Sequence, residues 1–161
     1  MTRLWIPDRF VVRTVDEFVR AYNSIGANYW YLHATGDVEQ ETLRGRMAEG
    51  AFAAAQWLAG ARDIPPGFHA ARLRTRYDLL DVLRVTELAA TDEIARWEDV
   101  VRGGQGGANE HFDVGVAAGA RAVYQWMLRM TDTDPVPPLL PEQAREAQRH
   151  FARMKEIARR A

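Results

Sequence analysis

The feature that most constrains this chain is a helical stretch at residues 37–62 that is apolar on nearly every side. At helical spacing, one stripe of it consists of Leu43, Met47, Gly50, Ala51, Ala54, Trp57 and Leu58. The opposite side holds Ala48, Phe52, Ala55 and Ala59, with a narrow polar edge of Arg46, Glu49 and Gln56. A helix without a wide polar face has to be covered by other helices, so the pattern predicts that this stretch lies at the centre of the fold.

Much of the stretch recurs 69 residues later without a gap: Gly50 matches Gly119, and Gln56-Trp57 matches Gln125-Trp126. A shorter match relates residues 16–20 to 92–96. Two alanine-rich amphipathic helices can resemble each other by coincidence, but the shared non-alanine positions favour a duplication. The repeat predicts two helical hairpins about a pseudo-twofold axis, with equivalent tryptophan environments and both glycines at close helix crossings.

The predicted fold is therefore all-α: one domain, a compact bundle of about six helices with two related hairpins and a C-terminal helix. The predicted segments are an extended stretch at 1–13, the first half at 14–66, a connecting helix at 67–89, the second half at 90–135 and a C-terminal helix at 141–161. The glycine run at 103–107 lacks the lysine and hydroxyl residue of a phosphate loop and is interpreted as a hinge.

Local signals set the expected helix ends. Thr14 and Glu17 form a capping box, from which the first helix is expected to run to about Ile25 and stop at Gly26. The aromatic residues at 27–35 fit either a helix or a short strand, because periodicity does not decide over so few residues. Asp37 is expected to cap the central helix, with Gln40 at the capping-box position.

Composition excludes several classes of protein. The chain has no cysteine, which rules out disulfides and thiolate chemistry, and its net charge of −1 gives no global attraction for nucleic acid or an anionic membrane. No signal peptide and no membrane-spanning stretch is recognisable, so we expect a cytoplasmic protein without membrane contact. The excess of arginine over the single Lys155 is typical of a GC-rich bacterial genome, its phages or its mobile elements.

Catalytic signals are weak. Asp78 and Asp81 stand three residues apart on one predicted helix face, a spacing that an all-helical Mg²⁺-dependent hydrolase or transferase could use. A solvated surface is the more common explanation of such a pair. The histidines show no metal-binding spacing and are interpreted as structural or incidental; they are His33, His69, His111 and His150. We therefore expect no catalytic residue, metal or cofactor.

The arginine clusters offer a second alternative. Arg72, Arg74 and Arg76 could contact an anion, and the C-terminal helix carries a further basic group. A nucleic-acid accessory protein could use either cluster, but no helix-turn-helix is convincing, so this function is not favoured.

Partner-binding signals are stronger. Tyr29, Trp30, Tyr31 and His33 are too closely spaced for all of them to point into one core. They either form a lid over the end of the helix bundle or are exposed, and exposed aromatics often anchor partners. On the C-terminal helix, Phe151 and Met154 belong to a thin apolar stripe that must pack either on its own bundle or on another chain. The sequence thus favours a small, non-catalytic interaction or adaptor protein that binds a protein partner or itself.

Overall fold

A computed structural model describes residues 13–62, 91, 95 and 108–161. These ranges contain four helices and no strand: α1 (Val15–Ala34), α2 (Leu43–Leu58), α3 (Ala108–Met127) and α4 (Pro141–Arg160). The all-helical class is thereby confirmed for this part of the chain. Four predicted features lie outside the described residues: all but the last residue of the extended stretch at 1–13, the connecting helix at 67–89, most of the helix expected at 90–101 and the glycine hinge.

The first helix begins as predicted but ends later. The Thr14 hydroxyl accepts a hydrogen bond from the Glu17 amide at 3.2 Å, and the Glu17 carboxylate accepts one from the Thr14 amide at 2.7 Å. The expected stop at Gly26 is wrong, because α1 continues to Ala34. Packing overrides the glycine signal: Tyr29 stacks on Phe52 of α2 with ring centroids 4.7 Å apart. The helical alternative for residues 27–34 is therefore the correct one.

The start of the central helix also differs from the prediction. Its N-cap is Thr42, whose hydroxyl accepts a hydrogen bond from the Gly45 amide at 3.1 Å, and not Asp37. Gly36 and Glu41 have left-handed backbone angles, with φ of 87° and 58°, and they fold residues 37–41 back over the first turn of α2. A Cβ at Gly45 would overlap the Asp37 carbonyl, so this glycine makes room for the turn.

Close approach of α2 and α3 is the main contact of the fold, and both glycines predicted to lie there do so. A Cβ on Gly50 would overlap the carbonyl oxygen of Val116, and a Cβ on Gly119 would overlap that of Met47. The two contacts are related by the same offset of 69 residues, because Met47 corresponds to Val116 as Gly50 corresponds to Gly119. At each contact the glycine of one helix therefore lets the backbone of the other helix come close.

The core confirms the central position of α2, with two corrections. Its alanines at 48, 51, 54 and 55 are buried against Phe18 and Ile25 of α1 and Val123, Tyr124 and Met127 of α3, or against the smaller cluster around Leu32. Leu43 and Met47, expected in the buried stripe, are instead 57% and 40% exposed. Arg46, expected on the polar edge, is buried because Glu41 and Glu49 both pair with its guanidinium.

The two repeat tryptophans do not occupy equivalent environments, contrary to the prediction. Trp126 is 5% exposed, and the guanidinium carbon of Arg13 lies over its ring, 4.3 Å from the ring centroid. Trp57 is only partly buried and meets the Tyr124 ring edge-on, with centroids 6.1 Å apart. The difference arises because Arg13 closes over the end of α3, whereas the described residues place no matching cation on Trp57.

The C-terminal helix begins at Pro141, as its proline predicts, and packs on α1 of the same chain. Pro138, just before α4, lines the same cavity as Ala21 and Ser24, while His150 bonds to His33 in the last turn of α1. The two helices therefore run in the same direction. Residues of α4 beyond His150 extend past the end of α1 at Ala34.

Candidate interaction surface

The contact between α1 and α4, here called the seam, brings together most of the residues that the sequence singles out for partner binding. Trp30 lies against Phe151, with ring centroids 5.0 Å apart, and the Tyr31 hydroxyl accepts a 3.4 Å hydrogen bond from Gln143. Tyr29 instead faces α2 through its stack on Phe52. Trp30, Tyr31 and Phe151 thus already have partners within the chain, which explains how a thin helix such as α4 persists.

Two histidines also meet in the seam. His33 Nδ1 and His150 Nε2 lie 2.7 Å apart, a hydrogen bond between residues 117 positions apart in the sequence. Burial is the main cause that lowers the pKa of His150, and the neighbouring His33 and Arg153 act in the same direction. Sequence reasoning missed this pair because no spacing rule links residues so distant. Among the described residues, no group of three or more His, Cys, Asp or Glu could hold a metal ion.

The part of α4 from Phe151, at the edge of the seam, to Arg160 is here called the arm. Every arm residue except Met154 is exposed, although Phe151 and Ile157 are large and apolar, with exposed fractions of 40% and 53%. At helical spacing Phe151, Met154 and Ile157 lie on one side, about one turn apart. The arm is about 15 Å long at the rise of an α-helix. It is an amphipathic helix whose apolar side is partly in contact with solvent.

A second exposed apolar feature lies on α2. Leu43 and Met47 stand one turn apart, and we call them the α2 ridge. Acidic side chains precede the ridge: Glu39 is exposed, and the Glu41 side chain is 62% exposed. The buried Arg46 pairs with Glu41 and Glu49, so this trio carries a net charge of −1. Arg44 on the same turn is neutralised by Asp37, 2.6 Å away.

A cavity of about 330 Å³ lies between α1 and the segment that follows α3. Its most buried polar group is Arg13, whose Nε donates to the Trp126 carbonyl at 2.5 Å and whose terminal nitrogen donates to the Thr131 carbonyl at 2.9 Å. Glu17, on its wall, has a lowered pKa mainly because the Thr14 amide donates to it. These groups are thus engaged in holding the end of α3.

Tyr124 is the largest fully buried side chain among the described residues, and it carries a polar hydroxyl group. In the part of the chain that is described, its hydroxyl has no hydrogen-bond partner, and burial raises its pKa so that it stays protonated. A buried hydroxyl without a partner costs free energy.

We therefore expect Tyr124→Phe to raise the free energy of unfolding by about 1 kcal/mol. Urea denaturation measures the change. Tyr31→Phe is the matched control, since its hydroxyl accepts a hydrogen bond from Gln143 and its loss should stabilise nothing. A destabilised Tyr124→Phe protein would show that the hydroxyl has a partner after all.

The remaining sequence candidates fall elsewhere. Arg72, Arg74 and Arg76, the pair Asp78 and Asp81, and His69 lie outside the described residues. His111 belongs to α3, but its side chain is outside the described set. Of the helices in the described ranges, none is long and apolar enough to cross a membrane.

Comparison with known proteins adds no relative: no family model matches the chain, and neither do curated proteins or solved structures.

Proposed function

We propose that this protein is a non-catalytic helical interaction protein that associates with itself, the arm of one copy docking on the α2 ridge of another. The observation that carries the proposal is the arm: a regular amphipathic helix that extends past its own bundle with Phe151 and Ile157 exposed. Isolated helical turns are marginal in water and depend on packing of their apolar face. A second copy supplies that packing.

Charge favours the body of another copy over its arm. Residues 151–161, the arm and the C-terminal residue, contain four basic side chains and one acidic side chain, which gives them a net charge of +3. Because the whole chain has a net charge of −1, the remaining residues carry −4. Two arms side by side would repel each other. The α2 ridge combines the exposed Leu43 and Met47 with the acidic Glu39 and Glu41, which complements an arm that is apolar on one side and basic around it.

Substitution of Ile157 with glutamate tests the docking. A carboxylate on the apolar side of the arm would be desolvated in the complex, so we expect self-association to weaken at least about tenfold, or 1.4 kcal/mol. Light scattering after size exclusion, across a concentration series, measures the mass. Ala152→Glu is the matched control, because it makes the same charge change on the opposite side of the arm and should leave the mass unchanged.

A wild-type protein that stays monomeric at every concentration would contradict self-association. Equal loss in both variants would assign the effect to net charge and not to the apolar side of the arm. Capture of a different, acidic protein by a monomeric chain would replace the second copy with another partner.

The alternatives from the sequence stay predictions. The Mg²⁺-dependent reaction depends on Asp78 and Asp81, which lie outside the described residues. The nucleic-acid function depends on arginine clusters, and one of these, Arg72, Arg74 and Arg76, also lies outside the described residues. Among the described residues, nucleic acid could bind the basic arm. The exposed Phe151 and Ile157 of the arm nevertheless suit an apolar groove better than a phosphate backbone.

We also propose the pseudo-twofold relation of α2 and α3 as the organising symmetry of the six-helix bundle. The reciprocal contacts of Gly50 with Val116 and of Gly119 with Met47 support it. The unequal burial of Trp57 and Trp126 counts against equivalence over the full length of the two hairpins. The proposed symmetry is therefore confined to the helix crossing.

A further inference from the structure

The hydrogen bond between His33 and His150 spans the seam and depends on protonation. A neutral imidazole has one nitrogen that donates and one that accepts, so a nitrogen–nitrogen distance of 2.7 Å requires a proton on one ring and a lone pair on the other. The bond thus holds a single proton between Nδ1 of His33 and Nε2 of His150.

Proton uptake by the pair proceeds in two unlike steps. A first added proton can sit on the outer nitrogen of the donating ring, which leaves the bond in place and makes it charge-assisted. A second added proton must occupy the accepting nitrogen. Both facing nitrogens then carry a hydrogen, the bond is lost, and two cationic rings remain with centroids 4.9 Å apart.

The surroundings set where this second step falls. From α4, Arg153 opposes a charge on His150 and Glu146 favours it; from the turn after α1, Glu39 favours it; His33 of α1 opposes it. Burial of the ring outweighs each of these, so the pKa of His150 lies below its ordinary value. The neutral ring is thus the form that the folded seam prefers.

The rest of the seam is modest. Gln143 donates to the Tyr31 hydroxyl over 3.4 Å, Trp30 packs on Phe151, and Ala147 is the buried residue of α4. The free energy lost when the histidine hydrogen bond breaks and the two cations repel each other is comparable to the stabilisation that these contacts contribute.

We propose that His33 and His150 form an acid-sensitive latch, which holds α4 on α1 at neutral pH and releases it when the pair takes up its second proton. Because the folded seam prefers the neutral ring, its stabilisation is complete above the ordinary histidine pKa of about 6.5 and is lost as the pH falls below that value. Release of α4 from α1 frees the arm and exposes Trp30 at the same time. The latch concerns docking within one chain and does not depend on what the arm binds.

A distance measurement tests the latch. The chain has no cysteine, so Asn23→Cys on α1 and Gln148→Cys on α4, both at exposed positions, place two spin labels uniquely. Pulsed electron paramagnetic resonance should give a narrow distance distribution at about pH 7.5 and a broad one at about pH 5. The control carries His33→Gln and His150→Gln as well: glutamine can donate and accept but does not titrate, so its distribution should not change with pH.

Three results would overturn the proposal. One is a wild-type distribution that stays narrow at about pH 5. The second is equal broadening in the glutamine control, which would assign the response to groups outside the histidine pair. The third is loss of helical circular dichroism at the same pH as the broadening, which would mean that the whole fold opens and not the seam alone.

Discussion

Replacing Gly50 with alanine is expected to lower the free energy of unfolding by about 3 kcal/mol, the upper part of the range for overpacked cores. The reason is that the added Cβ would overlap the carbonyl oxygen of Val116, which is backbone and cannot rotate away. The two helices would have to separate along their whole contact, and the buried Ala51 and Ala54 would lose packing with them. Urea denaturation followed by far-UV circular dichroism measures the change.

Gly26→Ala is the matched control for this substitution. Gly26 also lies inside a helix, but its added Cβ would meet only the Phe52 ring, at an ordinary contact distance of 3.6 Å. Alanine there restricts the unfolded chain without a clash, so we expect a gain of about 0.5–1 kcal/mol. If Gly50→Ala also stabilised the protein, α2 and α3 could not cross at the proposed place.

Arg13→Met is expected to cost about 2–3 kcal/mol, the range for charged hydrogen bonds and the buried acceptors they leave behind. Arg13 donates to the carbonyls of Trp126, in the last turn of α3, and of Thr131, just beyond it, where the helix dipole also stabilises a cation. Methionine keeps much of the side-chain volume, so the loss reports on the guanidinium.

Arg149→Met provides the comparison for Arg13. Its side chain is 75% exposed and pairs with Glu146 on the same helix face, at 2.9 Å. Such surface pairs contribute little, and we expect a change of less than about 0.5 kcal/mol in the same denaturation experiment. Equal losses in the two variants would show that Arg13 acts as an ordinary surface charge.

The sequence predicts what is local or periodic. The capping box at Thr14 and Glu17 needs only four residues, and the small residues at 50 and 119 stand out against the apolar stripe on either side. The helical class and the start of α4 at Pro141 follow from the same kind of signal. Each of these features depends on neighbours within a few turns.

What the sequence did not predict depends on tertiary contacts. Gly26 has the chemistry of a helix stop, but stacking of Tyr29 on Phe52 carries α1 past it. Arg46 has the chemistry of a surface residue, but the left-handed turn at Glu41 brings a carboxylate to it and allows its burial. Propensity is a weak prior where packing of this kind competes with it.

The sequence predicts the two segments of the candidate site but not the contact between them. Tyr29, Trp30, Tyr31 and His33 stood in one segment and Phe151 and Met154 in another, and the seam that joins the two segments follows from the direction of α4. His150 had no signal of its own, because its role depends on a partner 117 residues away.

Docking of the arm on another copy is tested most directly by transfer of a paramagnetic effect between molecules. Protein with Arg160→Cys, carrying a spin label at the end of the arm, is mixed with unlabelled ¹⁵N protein, so that any broadening arises between copies. We expect amide signals around the α2 ridge, residues 39–47, to broaden. Broadening confined to residues 151–161, or none at any mixing ratio, would contradict docking of the arm on the body of a second copy.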